Sequence, residues 1–430
     1  MPDRHAFDLD HELSRRKFLA GLGLAGTVVA GSYAIDTWAR PLAAGASRLP
    51  KQSAKNRHTV VFVELAGGND GIGTVIPYRD PNYRRLRPTL AIDDPIDLDG
   101  STGLHPSLAK LADRYRAGQV AIVEGIGYPN NDLSHFASLA NWWSGKPGHG
   151  GTTGWLGRYL DQTVGFSDPL AGVVIGPGPS PALIGERSFA TSISDASGLQ
   201  PAAPAWITDA GTLPETWAKF APRRADRSTL LSQIQAAVGL TSDARTELAR
   251  ILSTASAVDD GDTSIAAAYT NGTPVANLDL AAQLLAAPEP PKVIYVTSIG
   301  DYDTHQGQTA RQRALHADLD TALERFFTSV TSAGVADNVI VVTLSEFGRR
   351  AQENGSGTDH GAAGAHFIIG SRVKGGRYGT PTALGTLDSR GNLPMAVDFR
   401  HVYATALEAW LGVDAEPILG SHFAPLPLLA

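Results

Sequence analysis

The sequence contains no cysteine among its 430 residues. A chain without cysteine has no disulfide framework, no thiolate metal site and no cysteine nucleophile. Any metal ion that the protein binds must therefore be held by oxygen and imidazole ligands. An excess of positive charge is also lacking, because 36 basic and 43 acidic residues give a net charge of −7. We therefore expect no nucleic-acid partner.

A short apolar run lies near the N-terminus. The pair Arg15-Arg16 precedes a glycine-rich run from Leu19 to Ala34, and residues 43–47 could be a cleavage site. This pattern resembles a twin-arginine export signal. The run is short for a bilayer of about 30 Å, so we expect no stable membrane span in the mature protein. Residues 1–47 are predicted to be a signal peptide and linker that engages the twin-arginine translocase, and the mature protein is expected to be periplasmic or secreted.

The rest of the chain alternates between strand and helix patterns. Thr59 to Leu65 and Val120 to Glu124 are typical of buried strands, with a helical pattern from Pro106 to Gly118 between them. The same order recurs late, with strands at Val293 to Thr297 and Val339 to Leu344. The alternation predicts the α/β class, with a mostly parallel central sheet and helices on both faces. Functional loops are then expected at the carboxyl ends of the strands.

We predict that residues 48–430 form a single domain. The pattern weakens between about 171 and 291, where short β-like pieces rich in Gly and Pro precede helical stretches. That region could be a cap or insertion over the site, or it could be more sheet with covering helices.

Aspartate and histidine side chains follow three of the predicted strands. Asp70 lies in the turn Gly67 to Gly71, Asp303-Thr304-His305 follows a late strand, and Asp359-His360 and His366 follow another. Carboxylate and imidazole are the ligands of divalent zinc, manganese or iron, and three of each would serve two adjacent ions. Each residue also has a structural alternative: a turn, a helix cap, a surface loop or a core histidine. His105 precedes a proline that opens a helix and is expected to be a cap.

Several motifs together resemble a large bacterial family, the domain-of-unknown-function family numbered fifteen-oh-one, which is grouped with the alkaline phosphatase and sulfatase superfamily. The resemblance covers essentially the whole mature chain and implies an alkaline phosphatase-like fold. The motifs that carry it are the twin-arginine start, Gly67 to Gly71, Ser134-His135-Phe136, Asp303-Thr304-His305, Ser345-Glu346-Phe347-Gly348-Arg349 and Gly357-Thr358-Asp359-His360-Gly361.

The resemblance implies metal ligands at positions that match the superfamily pattern: Asp70, Asp303, His305, Asp359, His360 and His366. Two departures from that pattern matter. The late strand ends in Glu346-Phe347 rather than in an Asp-His pair, so Glu346 could be a ligand as well. The spacing common in those relatives would select Asp301 with His305, and we prefer Asp303 without excluding Asp301.

The resemblance further implies a nucleophile at the start of a helix after an early strand, a place that Ser134 fits. Ser134 could instead only cap that helix. His135 could bind an oxyanion or a metal, or it could pack. Arg349 could clamp phosphate or sulfate oxygens, or it could be a solvated loop charge. The context around Ser134 lacks the motif of modified sulfatase residues, which disfavours classical sulfatase chemistry.

The leading hypothesis is an exported metal-dependent hydrolase of phosphate or sulfate esters. Its expected cofactors are one or two divalent ions, with zinc, manganese, iron and calcium left open. Its expected partner is a small anionic ester or a polysaccharide-derived substrate. The alternative is a non-catalytic exported binding or assembly protein, related to polysaccharide, that retains the fold.

Overall fold

The computed structural model describes residues 57–148, 151–165, 168–176, 178–188, 190–193, 243–252 and 273–430. The predicted export signal lies outside these ranges and stays a prediction. The described strands are β1 (Thr59–Leu65), β2 (Val75–Ile76), β3 (Ile96–Asp97), β4 (Gly103–Leu104), β5 (Val120–Gly127), β6 (Gly172–Ile175), β7 (Thr191–Ile193), β8 (Val293–Ile299), β9 (Val339–Leu344), β10 (Gly348–Glu353), β11 (Thr358–Gly361), β12 (Gly364–Ile369), β13 (Gly376–Gly379) and β14 (Val397–Asp398).

The helices that have defined ends are α1 (Gly71–Thr74), α2 (Tyr83–Leu86), α3 (Ala109–Arg116), α4 (His135–Ser144), α5 (Trp155–Thr163), α6 (Pro274–Leu285), α7 (Gln308–Ser332), α8 (Phe399–Ala404) and α9 (Glu416–Leu419). Residues 243–252 are helical as well. The predicted C-terminal helix is present, and its second half, Thr405–Trp410, is a π-helix.

A mainly parallel sheet runs through the molecule in the order β13-β5-β12-β9-β1-β8-β6-β7, with β14 also paired to β5. The central strand β1 is buried along its whole length and pairs in parallel with β8 and β9. Strand β12 is antiparallel to both neighbours, β5 and β9. The predicted α/β class with a mostly parallel sheet is therefore confirmed.

Helices cover both faces of this sheet, as predicted. Successive side chains of β1 point to opposite faces and pack into two separate cores. Val61 and Val63 pack into a core shared with α3, α6 and α7. Val60 and Phe62 pack into the opposite core, with α4, α5, α8 and α9. Burial on both faces explains why the strands are rich in β-branched residues rather than alternating apolar with polar.

The described part of the region between 171 and 291 contributes to the main sheet and its cover. Strands β6 and β7 extend the sheet beyond β8, and α6 packs in the same core as α7. Residues 194–242 and 253–272 lie outside the described ranges. A cap formed by them stays a prediction.

None of the helices in the described ranges combines the length and apolar character that crossing a bilayer requires.

The loops that follow β1 and β8 meet backbone to backbone at the carboxyl edge of the sheet. The amide of Tyr302 donates to the carbonyl of Ala66 at 2.8 Å. A Cβ on Gly67 would overlap the backbone nitrogen of Asp303, and one on Gly68 would overlap the ring of Phe347. Gly67 lets the loops after β1 and β8 approach, which brings Asp303 beside the end of β1, and Gly68 leaves room for Phe347, which follows β9.

Replacing Gly67 by alanine should destabilise the protein more than the same change at Gly334. Both glycines have positive φ, 111° and 71°, and such conformations cost a non-glycine residue of order 1–3 kcal/mol each. A Cβ at Gly334 would meet nothing within 4 Å, whereas one at Gly67 would meet backbone. We expect the overlap to add about 1–3 kcal/mol, measured as free energy of unfolding in urea. Equal losses in the two variants would contradict the close approach.

Candidate metal centre

Three side chains from separate parts of the chain converge at the carboxyl edge of the sheet. His135 is the first residue of α4, Asp303 lies in the loop after β8, and His360 lies on β11. One ligand atom from each lies within 4.8 Å of the other two. We call these three residues the metal cluster. They offer two imidazoles and one carboxylate, a donor set that suits a divalent transition metal.

The tautomer of His360 is set by a backbone contact. Its Nδ1 lies 2.8 Å from the carbonyl oxygen of Leu133, so Nδ1 must carry the proton and donate it. In the neutral ring Nε2 then has a lone pair, and this atom lies 3.3 Å from Asp303 Oδ1. Burial lowers the pKa of His360 and so favours the neutral ring. A lone pair that faces a carboxylate is stabilised by a cation between them.

The ring of His135 is oriented by a contact at Nδ1, as that of His360 is, but its partner is a carboxylate. Its Nδ1 lies 2.9 Å from Oε1 of Glu346, and its Nε2 lies 3.6 Å from Oδ2 of Asp303. The hydrogen bond from His135 to Glu346 raises the pKa of the imidazole. A carboxylate behind a histidine fixes the ring and makes the other nitrogen a better metal ligand. The geometry thus matches a carboxylate–histidine–metal arrangement.

Glu346 therefore lies behind His135. Its carboxylate is buried and accepts the backbone amide of Gly67 at 2.9 and 3.1 Å. Phe347, the next residue, packs against the rings of His135 and His360 at centroid distances of 4.8 and 4.5 Å. The Glu346-Phe347 pair thus orients both histidines, one by a hydrogen bond and both by contact.

His305 and Asp359 lie on the exposed side of the metal cluster. His305 Nε2 is 2.9 Å from His360 Nε2 and 3.1 Å from Asp303 Oδ1. Its Nδ1 lies 3.5 Å from Asp359 Oδ1, which also accepts a hydrogen bond from the side-chain Nδ2 of Asn354 at 3.0 Å. The His305 and Asp359 side chains are 41% and 49% exposed, so solvent and ligands can reach the cluster from this side.

Arg349 holds Asp303 in place. Its Nη2 lies 2.6 Å from Asp303 Oδ1, and its side chain is fully buried. Burial alone would raise the pKa of Asp303, but the hydrogen bond and charge of Arg349 outweigh burial and the pKa is lowered. Its Nε, Nη1 and Nη2 also donate to backbone carbonyls of Gly67, Gly68, Tyr302 and Thr358. The structure therefore gives Arg349 a positioning role.

Asp70 lies outside the metal cluster. Its carboxylate forms a bidentate ion pair with the buried Arg87, at 2.5 and 2.8 Å, and accepts from Gln308 Nε2 at 2.6 Å. Burial opposes its ionisation, but the charge of Arg87 outweighs burial and the pKa of Asp70 is lowered. A carboxylate with these partners has no free lone pair directed at the cluster. Sequence reasoning missed Arg87 because it lies in a surface-like run of arginines.

His366 and Asp301 are also placed elsewhere. His366 is buried on β12, where its Nδ1 lies 3.0 Å from the carbonyl of Thr343 and its ring stacks on Trp142. Burial lowers its pKa to about 4, as expected of a neutral core histidine. Asp301 is exposed and pairs with Arg311 at 2.7 Å. Of the two aspartates left open by the sequence, the structure brings Asp303 to the histidines.

Ser134 precedes His135 at the start of α4, and its side chain makes no cap hydrogen bond. Within the described part of the chain its hydroxyl has no hydrogen-bond partner. The preceding residue, Leu133, has a φ of 61°, a conformation that costs a non-glycine residue about 1–3 kcal/mol. Leu133 is held there by its amide, which donates to Asn131 Oδ1 at 2.8 Å, and by the contact of its carbonyl with His360. The residue before Ser134 thus contacts His360 of the metal cluster through its carbonyl.

These features define a class: an α/β protein with a mainly parallel sheet and a histidine–aspartate cluster, able to hold a metal, at the carboxyl edge. The family follows from the sequence, since the model described as "Protein of unknown function (DUF1501)" matches residues 57–424. The chain belongs to this family, as the motifs had indicated. No curated protein matches the chain.

Several solved structures resemble the chain at low identity. The crystal structure of Ps i-CgsB with k-i-k-neocarrahexaose is 10% identical, with a TM-score of 0.39, over 85% of this chain and 74% of that one. Phosphonate monoester hydrolase SpPMH from Silicibacter pomeroyi is 11% identical, with a TM-score of 0.33, over 76% and 71%. Alkaline phosphatase from the Antarctic bacterium TAB5 is 12% identical, with a TM-score of 0.31, over 74% and 92%.

The metal cluster predicts a divalent ion that is lost on His360→Ala. The substitution removes one of two imidazole ligands, and we expect β11 to stay paired with β10, because that pairing is made by the backbone. Elemental analysis of protein purified without chelator should show near-stoichiometric metal in the wild type and little in the variant. His401→Ala is the matched control, since the His401 ring contacts the carbonyl of Ala424 outside the cluster. Equal metal in both variants would rule out this site.

Asp70→Asn should destabilise the protein at neutral pH without reducing its metal content. The change leaves the buried Arg87 charge unpaired, which costs roughly 3–5 kcal/mol. The pKa of Asp70 is lowered from 3.8 in the fold, so its contribution is present above that value and is lost as the pH falls through the lowered pKa. Urea unfolding should therefore show a large difference at neutral pH that shrinks in acid. Asp301→Asn, at an exposed pair, is the control.

Proposed function

We propose that the protein is an exported metal-dependent hydrolase of phosphate or sulfate esters. The observation that carries the proposal is the convergence of His135, Asp303 and His360, with Ser134, whose side chain makes no cap hydrogen bond, next to His135 in the chain. Metal ligands and a nucleophile at one helix start are what ester displacement needs. The arginine pair and apolar run near the N-terminus support export.

His135, Asp303 and His360 would hold the ion, and His305 lies close enough to join them. A divalent ion supplies Lewis-acid stabilisation of the charge that develops on the ester oxygens during displacement. Two imidazoles among three ligands favour zinc or iron over calcium, which prefers oxygen.

Ser134 is the proposed nucleophile. Its Oγ would attack the phosphorus or sulfur atom and lose its proton, forming a new O–P or O–S bond as the bond to the leaving oxygen breaks, and the leaving oxygen would take up a proton to become the alcohol. Water would then hydrolyse the serine ester and restore the hydroxyl. The start of α4 has no side-chain cap and no acidic residue in its first turn, so its free amides and helix dipole favour an anion at this place.

One observation favours the second candidate, a non-catalytic binding or assembly protein. Arg349 and Asp70, two residues expected to hold substrate and metal, are committed to contacts within the protein. A protein of this kind would keep the ion and bind an anionic polysaccharide-derived partner without turning it over.

Ser134→Ala separates the two candidates. If Ser134 is the nucleophile, the variant should keep its metal and lower kcat on 4-nitrophenyl phosphate or sulfate by on the order of a hundredfold or more. The measurement is steady-state kinetics on metal-loaded protein, with metal content determined in parallel.

Ser421→Ala is the control, because Ser421 is exposed and its hydroxyl contacts only the neighbouring carbonyl of Gly420. Wild-type protein that holds its metal but turns over neither ester would favour the binding protein. Turnover unchanged by Ser134→Ala would keep the hydrolase and remove Ser134 from its mechanism.

A further inference from the structure

A cavity of about 280 Å³ lies beside the start of α7, and no residue of the metal cluster lines it. Ligand cavities commonly have volumes of about 300–1,000 Å³, so this one suits a small molecule. Its wall has an apolar part, formed by Leu90, Ile92 and Pro106. The polar part includes His105, Thr309 and Arg313, and no acidic side chain lines the cavity.

His105 lines this cavity and offers one hydrogen-bond donor. Its side chain is buried, with 5% exposed, and its Nδ1 accepts the backbone amide of Ser107 at 3.1 Å. Because Nδ1 is the acceptor, Nε2 carries the proton. Nε2 has no hydrogen-bond partner within the described ranges, so this donor is available to a ligand. Burial, with the charge of Arg313, lowers the pKa of His105 to about 4 and so favours the neutral ring.

Arg313 supplies a positive charge with no counter-ion. Its side chain is exposed on α7 and forms no ion pair or hydrogen bond with any described residue. Its charge acts on His105 across the cavity wall. A guanidinium that is free of carboxylates is available to pair with an anionic ligand.

The start of α7 adds a second set of donors. This helix has 25 residues, a glycine at its N-cap and no acidic residue in its first turn. The amides of Thr309 and Ala310 have no acceptor in the described structure. Uncapped amides at a helix start, with the helix dipole behind them, favour an anion. The helix start and the buried His105 donor are independent features of one cavity.

We propose that this cavity binds a small organic anion. The carboxylate or phosphate group lies against Arg313, His105 and the start of α7, and the apolar body lies against Leu90, Ile92 and Pro106. This second site is separate from the proposed hydrolytic centre and does not depend on it. Gln308, which also lines the cavity, bonds to Asp70 and, at 2.7 Å, to the hydroxyl of Thr358 on the strand of His360.

The test is isothermal titration calorimetry of the metal-loaded protein with benzoate, phenylphosphonate and the neutral benzamide. Benzoate and phenylphosphonate distinguish a carboxylate from a phosphate preference, and benzamide measures the apolar contribution alone. We expect saturable binding of at least one of the two anions, tighter than benzamide. Arg313→Glu should weaken that binding by tenfold or more while metal content stays the same.

Two variants serve as controls. Lys374→Glu makes the same charge change at an exposed position just before the edge strand β13, outside the cavity lining, and should bind as the wild type does. His360→Ala should also retain anion binding. The proposal is overturned if neither anion binds at millimolar concentration, if benzamide binds equally well, or if Arg313→Glu has no effect. Binding that His360→Ala abolishes would place the anion at the metal cluster and would overturn it as well.

Discussion

The guanidinium of Arg349 is the interaction on which the candidate site depends. It is fully buried, and its donors connect the end of β1, the loop after β8 and the β10–β11 hairpin. A buried charge must be compensated, and Asp303 supplies the carboxylate. The same contact that neutralises Arg349 therefore fixes the carboxylate of the metal cluster. Arg349 thus joins these three segments at the carboxyl edge of the sheet.

A second buried pair, Asp70 with Arg87, limits the number of carboxylates at this edge that can bind a metal. Asp70 follows β1 at the place where a second ligand group was expected, and its charge is used inside the fold. The convergent side chains then suit one ion better than two. A site for one ion is compatible with a hydrolase that uses Ser134 and a single metal. It is equally compatible with a binding protein in which the metal is structural.

Part of this site was predictable from the order of strands and polar residues. Parallel strands bring their carboxyl ends to one edge, so Asp70, Asp303, His305, Asp359, His360 and His366 were expected to meet. Asp303, His305, Asp359 and His360 do meet, whereas Asp70 and His366 have partners elsewhere. The pattern could not rank His135 against His366, because both follow or lie on strands of the same sheet. The ring contacts decide it: His366 stacks on Trp142 inside the core, whereas His135 faces Asp303.

The sequence by itself determined the sheet, its buried β-branched strands and the oxygen and nitrogen chemistry of any metal, because these follow from local periodicity and from residue types that are present or absent. Only the tertiary structure decided which charges pair. Arg349 on β10 pairs with Asp303 in the loop after β8, and Arg87, just after α2, pairs with Asp70, just before α1. Each pair forms only if two segments that are separated in the chain lie within a few ångströms of each other. The local sequence pattern does not predict such distances.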